Sequence, residues 1–258
     1  MNAYSDKNKD NSLFEDTMSG HNKWSKIKRQ KGIADIKKGK IFSKLSKVIT
    51  LTAKNGGDPG MNPALSLAID KAKQVNMPSD NIEKAIKKGT GELAGGAIEE
   101  VLFEAYGPEG IALIIEGMTD NNNRTVAEIK HALSKNGGRL GEAGSVKWMF
   151  DRFGYMEIEK ESLKMGVEDL EMAAIEAGAE DIADMEDMVV VYTKPENLYS
   201  VKSDLEKIAV MIGDSGFEWR AKNKVKIEDP KINDRIDNLF AVLDEQEDVT
   251  EVYSNVED

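Results

Sequence analysis

The hydrophobic pattern changes its period once, at a glycine-rich segment, and this change divides the chain into two kinds of structure. Residues 89–96 read GTGELAGG, with four glycines in eight residues. Before this segment apolar residues recur with helical spacing, and after it they alternate along short runs typical of strands. A glycine-rich stretch of this kind is a flexible linker. The sequence therefore predicts a helical domain, a linker and a mixed region of helices and strands.

Three helices are predicted before the linker. Residues 31–54 carry one apolar stripe with helical spacing, formed by Ile41, Phe42, Leu45, Val48, Ile49 and Thr52. Asn62 followed by Pro63 predicts the start of a second helix, because Asn caps a helix and Pro suits its first position. A third helix is predicted to open at residues 78–80 and to stop at Gly89, with its lysines placed late, as the helix dipole favours.

Two units of alternating strands and helices are predicted after the linker. The first has a hairpin, a helix and two further strands around Phe153-Gly154, in residues 99–106, 111–118, 124–135, 146–150 and 155–159. The second comprises residues 167–177, 188–193, 196–210, 217–221 and 224–227. The first unit lacks a last helix and strand, which a helix from Pro230 and a strand at 249–253 would supply. We infer that the chain's end returns to complete the first unit.

These elements define the fold class as α+β. A three-helix N-terminal domain precedes two α/β sandwich-like domains, ferredoxin-like in part, with the third domain inserted in the second. The expected divisions are a disordered extension at 1–17, a basic helical domain at 18–88, the linker at 89–96, an α/β domain at 97–159 plus 229–258, and an inserted acidic α/β domain at 160–228.

Charge is distributed unevenly along the chain. Residues 18–58 hold eleven Lys and Arg against two acids, and residues 1–96 together carry a net charge of +8. The whole chain carries −12, so residues 97–258 carry −20. Such asymmetry points to one end that binds polyanions and to an acidic remainder that repels phosphate. We expect the third domain to face away from nucleic acid or toward a basic protein.

One face of the first helix carries five lysines opposite the apolar stripe, termed here the lysine ladder: Lys37, Lys40, Lys44, Lys47 and Lys54. No acid lies between Asp35 and Asp58, whereas a solvated helix face usually mixes both signs. We therefore favour a polyanion-binding face over a merely solvated one. The ladder extends over ~25 Å at ~1.5 Å per residue, which is enough to follow several phosphates.

A basic segment with one aromatic residue precedes this helix. Its candidate nucleic-acid-binding residues are Lys23, Trp24, Lys26, Lys28, Arg29 and Lys31. A mobile arm of this composition suits a nucleic-acid groove, and Trp24 could stack on a base. For Trp24 we favour the alternative, an apolar anchor packed on the helical domain. For the basic residues we favour contact with nucleic acid.

The sequence offers little for catalysis or metal binding. It has no cysteine, which removes disulfides, thiolate metal sites and cysteine nucleophiles and suits a reducing cytosol. The two histidines, His21 and His131, are isolated, and no nucleotide-binding loop is visible. We expect no catalytic residue, no cofactor and no metal. Because no apolar run approaches the ~18–20 residues that span a bilayer, we expect no membrane partner and a cytoplasmic location.

Several motifs resemble those of the YebC family. They are MSGHNKW at 18–24, GKIFSKL at 39–45, NGGDP at 55–59, YGP at 106–108, TDNNNRT at 119–125, GG at 137–138 with GSV at 144–146, and VTEVYSN at 249–255. The resemblance covers residues 18–255 and implies a helical N-terminal domain followed by two α/β domains. Residues 1–17 lie outside it, so Met18 is an alternative to Met1 as the start of translation.

The resemblance also implies a function. Bacterial members are described as transcriptional regulators that bind DNA, mitochondrial relatives activate translation, and some bacterial members relieve ribosomes stalled on proline runs. The chain is therefore predicted to be a non-enzymatic nucleic-acid-binding regulator of the YebC type that binds DNA. The alternative is a translation factor that binds the ribosome and its RNA.

The basic residues themselves leave this choice open. They are lysines with a single Arg, which slightly favours structured RNA or nonspecific DNA, because base readout needs Arg, Asn or Gln in a groove. Two further classes of protein stay open. One is an enzyme whose metal is held by carboxylates alone, and the other is a scaffold whose basic end binds an acidic partner.

Overall fold

The computed structural model describes residues 35–94 and 96–257, with side chains from Gly39 onward. In these ranges the helices are α1 Asp35–Thr52, α2 Pro63–Gln74, α3 Ser79–Thr90, α4 Asn122–Lys135, α5 Val167–Ala177, α6 Leu198–Lys207 and α7 Pro230–Asp244. The strands are β1 Glu99–Tyr106, β2 Ala112–Thr119, β3 Arg139–Leu140, β4 Phe150–Glu159, β5 Asp181–Asp184, β6 Met188–Thr193, β7 Ser215–Ala221 and β8 Val249–Ser254. None of the described helices is long and apolar enough to cross a membrane.

The helical domain forms as the apolar spacing predicts. Helix α1 buries Ile49 against Leu65 and Ala72 of α2 and against residues of α3. Asn62 caps α2 by accepting a hydrogen bond from the Leu65 N–H, and its amide also donates to the main-chain oxygens of Thr52 and Gly56. The cap of α2 therefore also fixes where α1 ends. Residues 31–34 of the predicted first helix lie outside the described residues.

The prediction that Gly89 ends the third helix is wrong. Helix α3 continues to Thr90, and Gly91 takes the left-handed conformation with φ of +83° that ends it. Gly89 lies inside the helix, and a glycine is needed there because α3 packs closely on α1. A Cβ at this position would lie 2.3 Å from the Thr50 main-chain oxygen and 2.6 Å from the Ala53 Cβ.

The first sheet has the strand order β3-β1-β2-β8. β1 and β2 form the predicted hairpin, and β8, from the end of the chain, pairs antiparallel with β2. Helices α4 and α7 bury residues such as Ile129, Leu133 and Leu239 against this sheet. The chain's last helix and strand thus return to the first sheet, after the elements of the second sheet.

The second sheet has the order β5-β6-β4-β7, with all neighbouring strands antiparallel. Its chain order, β4-α5-β5-β6-α6-β7, is the βαββαβ pattern of a ferredoxin-like domain. Helices α5 and α6 bury Leu170, Val201 and Leu205 against it. The predicted fold class is confirmed, with two α/β domains and the third inserted in the second.

Two predicted strands, 146–150 and 155–159, are corrected by β4. One continuous strand runs from Phe150 to Glu159, and it belongs to the second sheet. Phe153-Gly154 therefore does not separate two strands. A glycine is needed at position 154 in mid-strand, because a Cβ there would come 2.7 Å from the Thr193 hydroxyl and 2.9 Å from the Leu198 Cβ. The predicted domain boundaries stay a prediction, and this pairing favours a break before Phe150 rather than after Glu159.

Residues 224–227 differ from their predicted strand. They make a single parallel bridge, from Val225 to Val256, rather than a strand. The short strands β3 and β5, by contrast, were not predicted, because two- and four-residue strands leave too little alternation to read.

The packing of Gly89 gives a matched test. We expect Gly89→Ala to lower the free energy of unfolding by about 1–3 kcal/mol, because the added methyl has no room. Gly39→Ala, on α1 with nothing within 4 Å of the new Cβ, should raise it by about 0.5–1 kcal/mol. Urea unfolding followed by circular dichroism measures both. Equal effects of the two substitutions would show that α1 and α3 are not in close contact.

Candidate nucleic-acid interface

The lysine ladder faces the turn that follows α7. Lys40, Lys44 and Lys47 donate to three main-chain oxygens in residues 244–247, at 3.3, 2.6 and 3.2 Å respectively. Only 12% of the Lys44 side chain and 15% of the Lys47 side chain are exposed. Lys44 and Lys47 are therefore largely buried in a contact between α1 and the end of α7.

The end of α7 explains why lysines gather there. Residues 244–248 read DEQED, and the last turn of α7 contains no basic residue of its own. The main-chain oxygens at a helix C-terminus carry partial negative charge, which cations stabilise and acids oppose. Helix α1 supplies the missing cations from another domain.

Asp248 is the centre of this contact, and its carboxylate is only 1% exposed. One oxygen accepts from the Lys47 ammonium at 2.6 Å. The other accepts from Arg124 at 2.8 Å and from the hydroxyls of Thr119 and Thr125 at 3.0 and 2.7 Å. Burial alone would raise the pKa of Asp248, but the hydrogen bonds from Lys47, Arg124 and Thr125 outweigh it and hold the pKa well below its usual range.

The TDNNNRT motif at residues 119–125 builds the receiving side of this contact. The Asn121 side chain caps α4 by accepting from the Arg124 N–H, and the Asn121 N–H donates to the Thr119 hydroxyl. Arg124 also pairs with Asp120 at 3.0 Å. The motif therefore orients two hydroxyls and one guanidinium toward Asp248, which joins β2, α4, the turn before β8 and the helical domain.

The remaining predicted site residues differ in how far the structure describes them. Lys54 is exposed and donates to the Ile98 main-chain oxygen at 2.5 Å, which ties the end of the first helix to the chain after the linker. Lys37 lies on α1, but its side chain is outside the described part. Lys23, Trp24, Lys26, Lys28, Arg29 and Lys31 all lie outside the described residues.

A second set of lysines in the helical domain was not predicted as a site. Lys84, Lys87 and Lys88 are exposed on α3, and none of them makes an ion pair with a described residue. Lys73 on α2 is exposed as well. The sequence interpretation assigned the late lysines of α3 only to the helix dipole. Their spacing of three and four residues, which places them on one face, is the signal that could have found them.

The fold and this basic surface define a class of protein with a lysine-rich helical domain and two α/β domains. A family model described as "TACO1/YebC protein N-terminal domain" matches residues 22–92. A second one, described as "TACO1/YebC second and third domain", matches residues 98–256. The chain therefore belongs to the YebC family, as its motifs predicted.

Named relatives agree with this membership. A protein from Halothermothrix orenii is 47% identical over 92% of this chain and 94% of its own length, and one from Maridesulfovibrio salexigens is 48% identical over 93% and 96%. Each bears the name "Probable transcriptional regulatory protein", which describes a regulator and not an enzyme. The crystal structure of a conserved hypothetical protein from Aquifex aeolicus superposes with a TM-score of 0.81 at 42% identity, covering 91% of this chain and 96% of that one.

The Asp248 contact predicts a pH-dependent stability. Asp248→Asn should lower the free energy of unfolding by about 3 kcal/mol at pH 7, because it leaves the largely buried Lys47 ammonium without its nearest charge partner. The folded-state pKa of Asp248 is depressed, so its contribution is complete above the unfolded pKa of about 4 and is lost as the pH falls through the folded value. The difference between wild type and variant should therefore shrink below about pH 4.

Thermal unfolding between pH 3 and 8 measures this difference. The matched control is Asp234→Asn, since Asp234 is exposed on α7 and should change stability by less than about 0.5 kcal/mol. If Asp248→Asn is as stable as this control at pH 7, Asp248 does not hold the two domains together.

Proposed function

We propose that this protein is a non-enzymatic regulator that binds nucleic acid and acts on DNA in transcription. The observation that carries the proposal is the exposed lysine face of α3, in the N-terminal domain of a YebC-family chain. Its relatives carry the name of transcriptional regulators, which supports the same reading. We propose a cytoplasmic location, because the DNA of such bacterial relatives lies there.

The spacing of this face suits a phosphate backbone. Lys84 and Lys88 lie four residues apart, which is about 6 Å along a helix axis. Duplex DNA carries about three to four charges over that length. Each exposed lysine can approach phosphate without first leaving a carboxylate in the described part of the chain.

The type of cation limits what these contacts can read. Every cation in the described residues from 39 to 94 is a lysine, and none is an Arg. An ammonium binds phosphate as a point charge, whereas bidentate readout of bases typically uses Arg, Asn or Gln. The contacts would position the protein without selecting a sequence.

This same lysine-only surface favours a second candidate function, binding to ribosomal RNA as a translation factor. Structured RNA is recognised largely through shape, phosphates and hydroxyls rather than through a base code. In either case the acidic third domain would face away from the nucleic acid or toward a basic protein partner.

The lysine ladder has a divided role in this proposal. Lys40 and Lys54 are exposed, and their present hydrogen bonds to main-chain oxygens lie at the surface. Both lysines can therefore reach a phosphate. Lys44 and Lys47 would first have to leave residues 244–248, so we propose that they hold the domains together. Phosphate contacts by Lys37 and by the basic residues of the preceding arm remain part of the proposal.

The α3 face can be tested by the triple variant Lys84→Gln, Lys87→Gln and Lys88→Gln. Gln resembles Lys in helix propensity, so stability should change by less than about 1 kcal/mol. Affinity for duplex DNA should fall, and the slope of log K against log salt should flatten by about 2–3 if all three lysines contact phosphate. Titrations of duplex DNA and of ribosomal RNA at several salt concentrations measure both quantities.

The matched control makes the same charge change in the other half of the chain, at exposed positions of α4 and α7. It is the triple variant Lys130→Gln, Lys135→Gln and Lys231→Gln. We expect its salt slope to stay within experimental error of wild type. Identical slopes for all three proteins would reject the α3 face as the site. A larger loss on ribosomal RNA than on DNA would favour the translation alternative.

A further inference from the structure

The acidic half of the chain contains one strongly basic region that its net charge conceals. Residues 219–226 read WRAKNKVK and hold four cations and no acid. Residues 147–152 read KWMFDR and add two cations and one acid. Together the two segments contain six cations against one carboxylate, in a half that carries −20 overall.

The fold brings these two segments together. β4 and β7 pair so that Phe150 lies opposite Ala221, and the Lys222 N–H donates to the Met149 main-chain oxygen at 2.9 Å. The Lys147 ammonium lies 5.2 Å from the centre of the Trp219 ring. Trp148 lies between Lys147 and Met149 in the chain, and 67% of its surface is exposed.

The exposed indole is held by a fixed loop. Its ring N–H donates to the Ser145 main-chain oxygen at 3.1 Å, and the Tyr106 hydroxyl donates to the same oxygen. The buried Glu104 carboxylate accepts from the N–H groups of Gly144, Val146 and Lys147 at 2.6–2.7 Å. A large apolar ring is therefore presented to solvent in one orientation.

The neighbouring aromatic residues are already engaged. The Arg152 guanidinium lies over the rings of Phe217 and Trp219, at 5.2 and 5.8 Å from their centres. The Trp219 ring N–H donates to Glu116 at 2.8 Å.

Trp148, in contrast, is largely exposed, and the exposed Lys147 precedes it in the chain. The exposed Lys222 belongs to the segment bonded to Met149, and its ammonium pairs with Asp151 at 3.2 Å, a surface contact that a phosphate would replace.

We propose that Trp148 and the lysines beside it form a second nucleic-acid contact, for a single-stranded segment. An unpaired base stacks on the indole, while Lys147 and Lys222 contact the phosphates that flank this base. Stacking on an exposed ring requires an unpaired base, which duplex DNA does not offer along its sides. The combination of an open aromatic ring with surrounding cations is the chemistry of such sites.

The inference rests on the proposed function only for the class of ligand. The α3 face would hold the phosphates of a helix, and the Trp148 region would hold a strand that leaves it. The two surfaces belong to different domains, so each can fail without the other.

The test uses the full chain and a single-stranded 12-nucleotide oligo(dT) and oligo(U), with a duplex of the same length as comparison. Trp148→Ala should weaken single-strand binding by about five- to 150-fold, the range for loss of one base stack, and leave duplex binding unchanged. Trp148→Phe keeps a ring and should recover most of the loss, although it lacks the hydrogen bond to Ser145. Lys147→Gln with Lys222→Gln should flatten the single-strand salt slope by about 1.4.

Met172→Ala is the control, because Met172 is 63% exposed on α5, away from these lysines in sequence, and should bind as wild type does. If wild type and Trp148→Ala bind single strands equally, the inference is wrong and the α3 face is unaffected. Equal losses on single strands and duplex would also reject base stacking. If Trp148 contributes to binding of polyglutamate but of no oligonucleotide, the inference is wrong and this is a protein-binding surface. If the protein binds no nucleic acid at all, the proposed function is refuted as well.

Discussion

The position of the helical domain depends on one buried carboxylate. Asp248 accepts from Lys47 of α1 on one oxygen and from Arg124, Thr119 and Thr125 on the other. A buried charge is costly unless it is paired and fully hydrogen-bonded, so the elements that supply these donors must meet at this point. The acidic end of α7 adds a reason for Lys40 and Lys44 to lie nearby. Part of a lysine pattern typical of nucleic-acid binding therefore has a structural role.

Local features of the fold could be read from the sequence, because they depend on neighbours in the chain. Helix α5 and strands β1 and β6 have the predicted bounds, and Asn62 and Pro63 begin α2 as expected. Gly89 and Gly154 could not be read, because each permits a close approach by residues distant in sequence. In both cases tertiary packing, rather than local conformation, requires the glycine.

The same distinction applies to the candidate site. The spacing of the ladder is visible in the sequence, but its partners lie about 200 residues away, and only the fold shows that they meet. The TDNNNRT motif contributed to the family resemblance without revealing that it surrounds Asp248. The net charge of −20 concealed the basic residues near Trp148, because a sum over two domains does not show where a sheet brings cations together. Charge must be followed on surfaces as well as along segments.

The central claim is that the lysines are divided between domain contact and nucleic-acid contact. Lysine-selective chemical labelling, read by mass spectrometry on the full chain with and without duplex DNA, tests it most directly. The account predicts that Lys44 and Lys47 react slowly in both states, whereas Lys84, Lys87 and Lys88 react readily alone and are protected by DNA. The account would be contradicted if Lys44 and Lys47 react readily in the free protein, or if DNA protects them and leaves the lysines of α3 reactive.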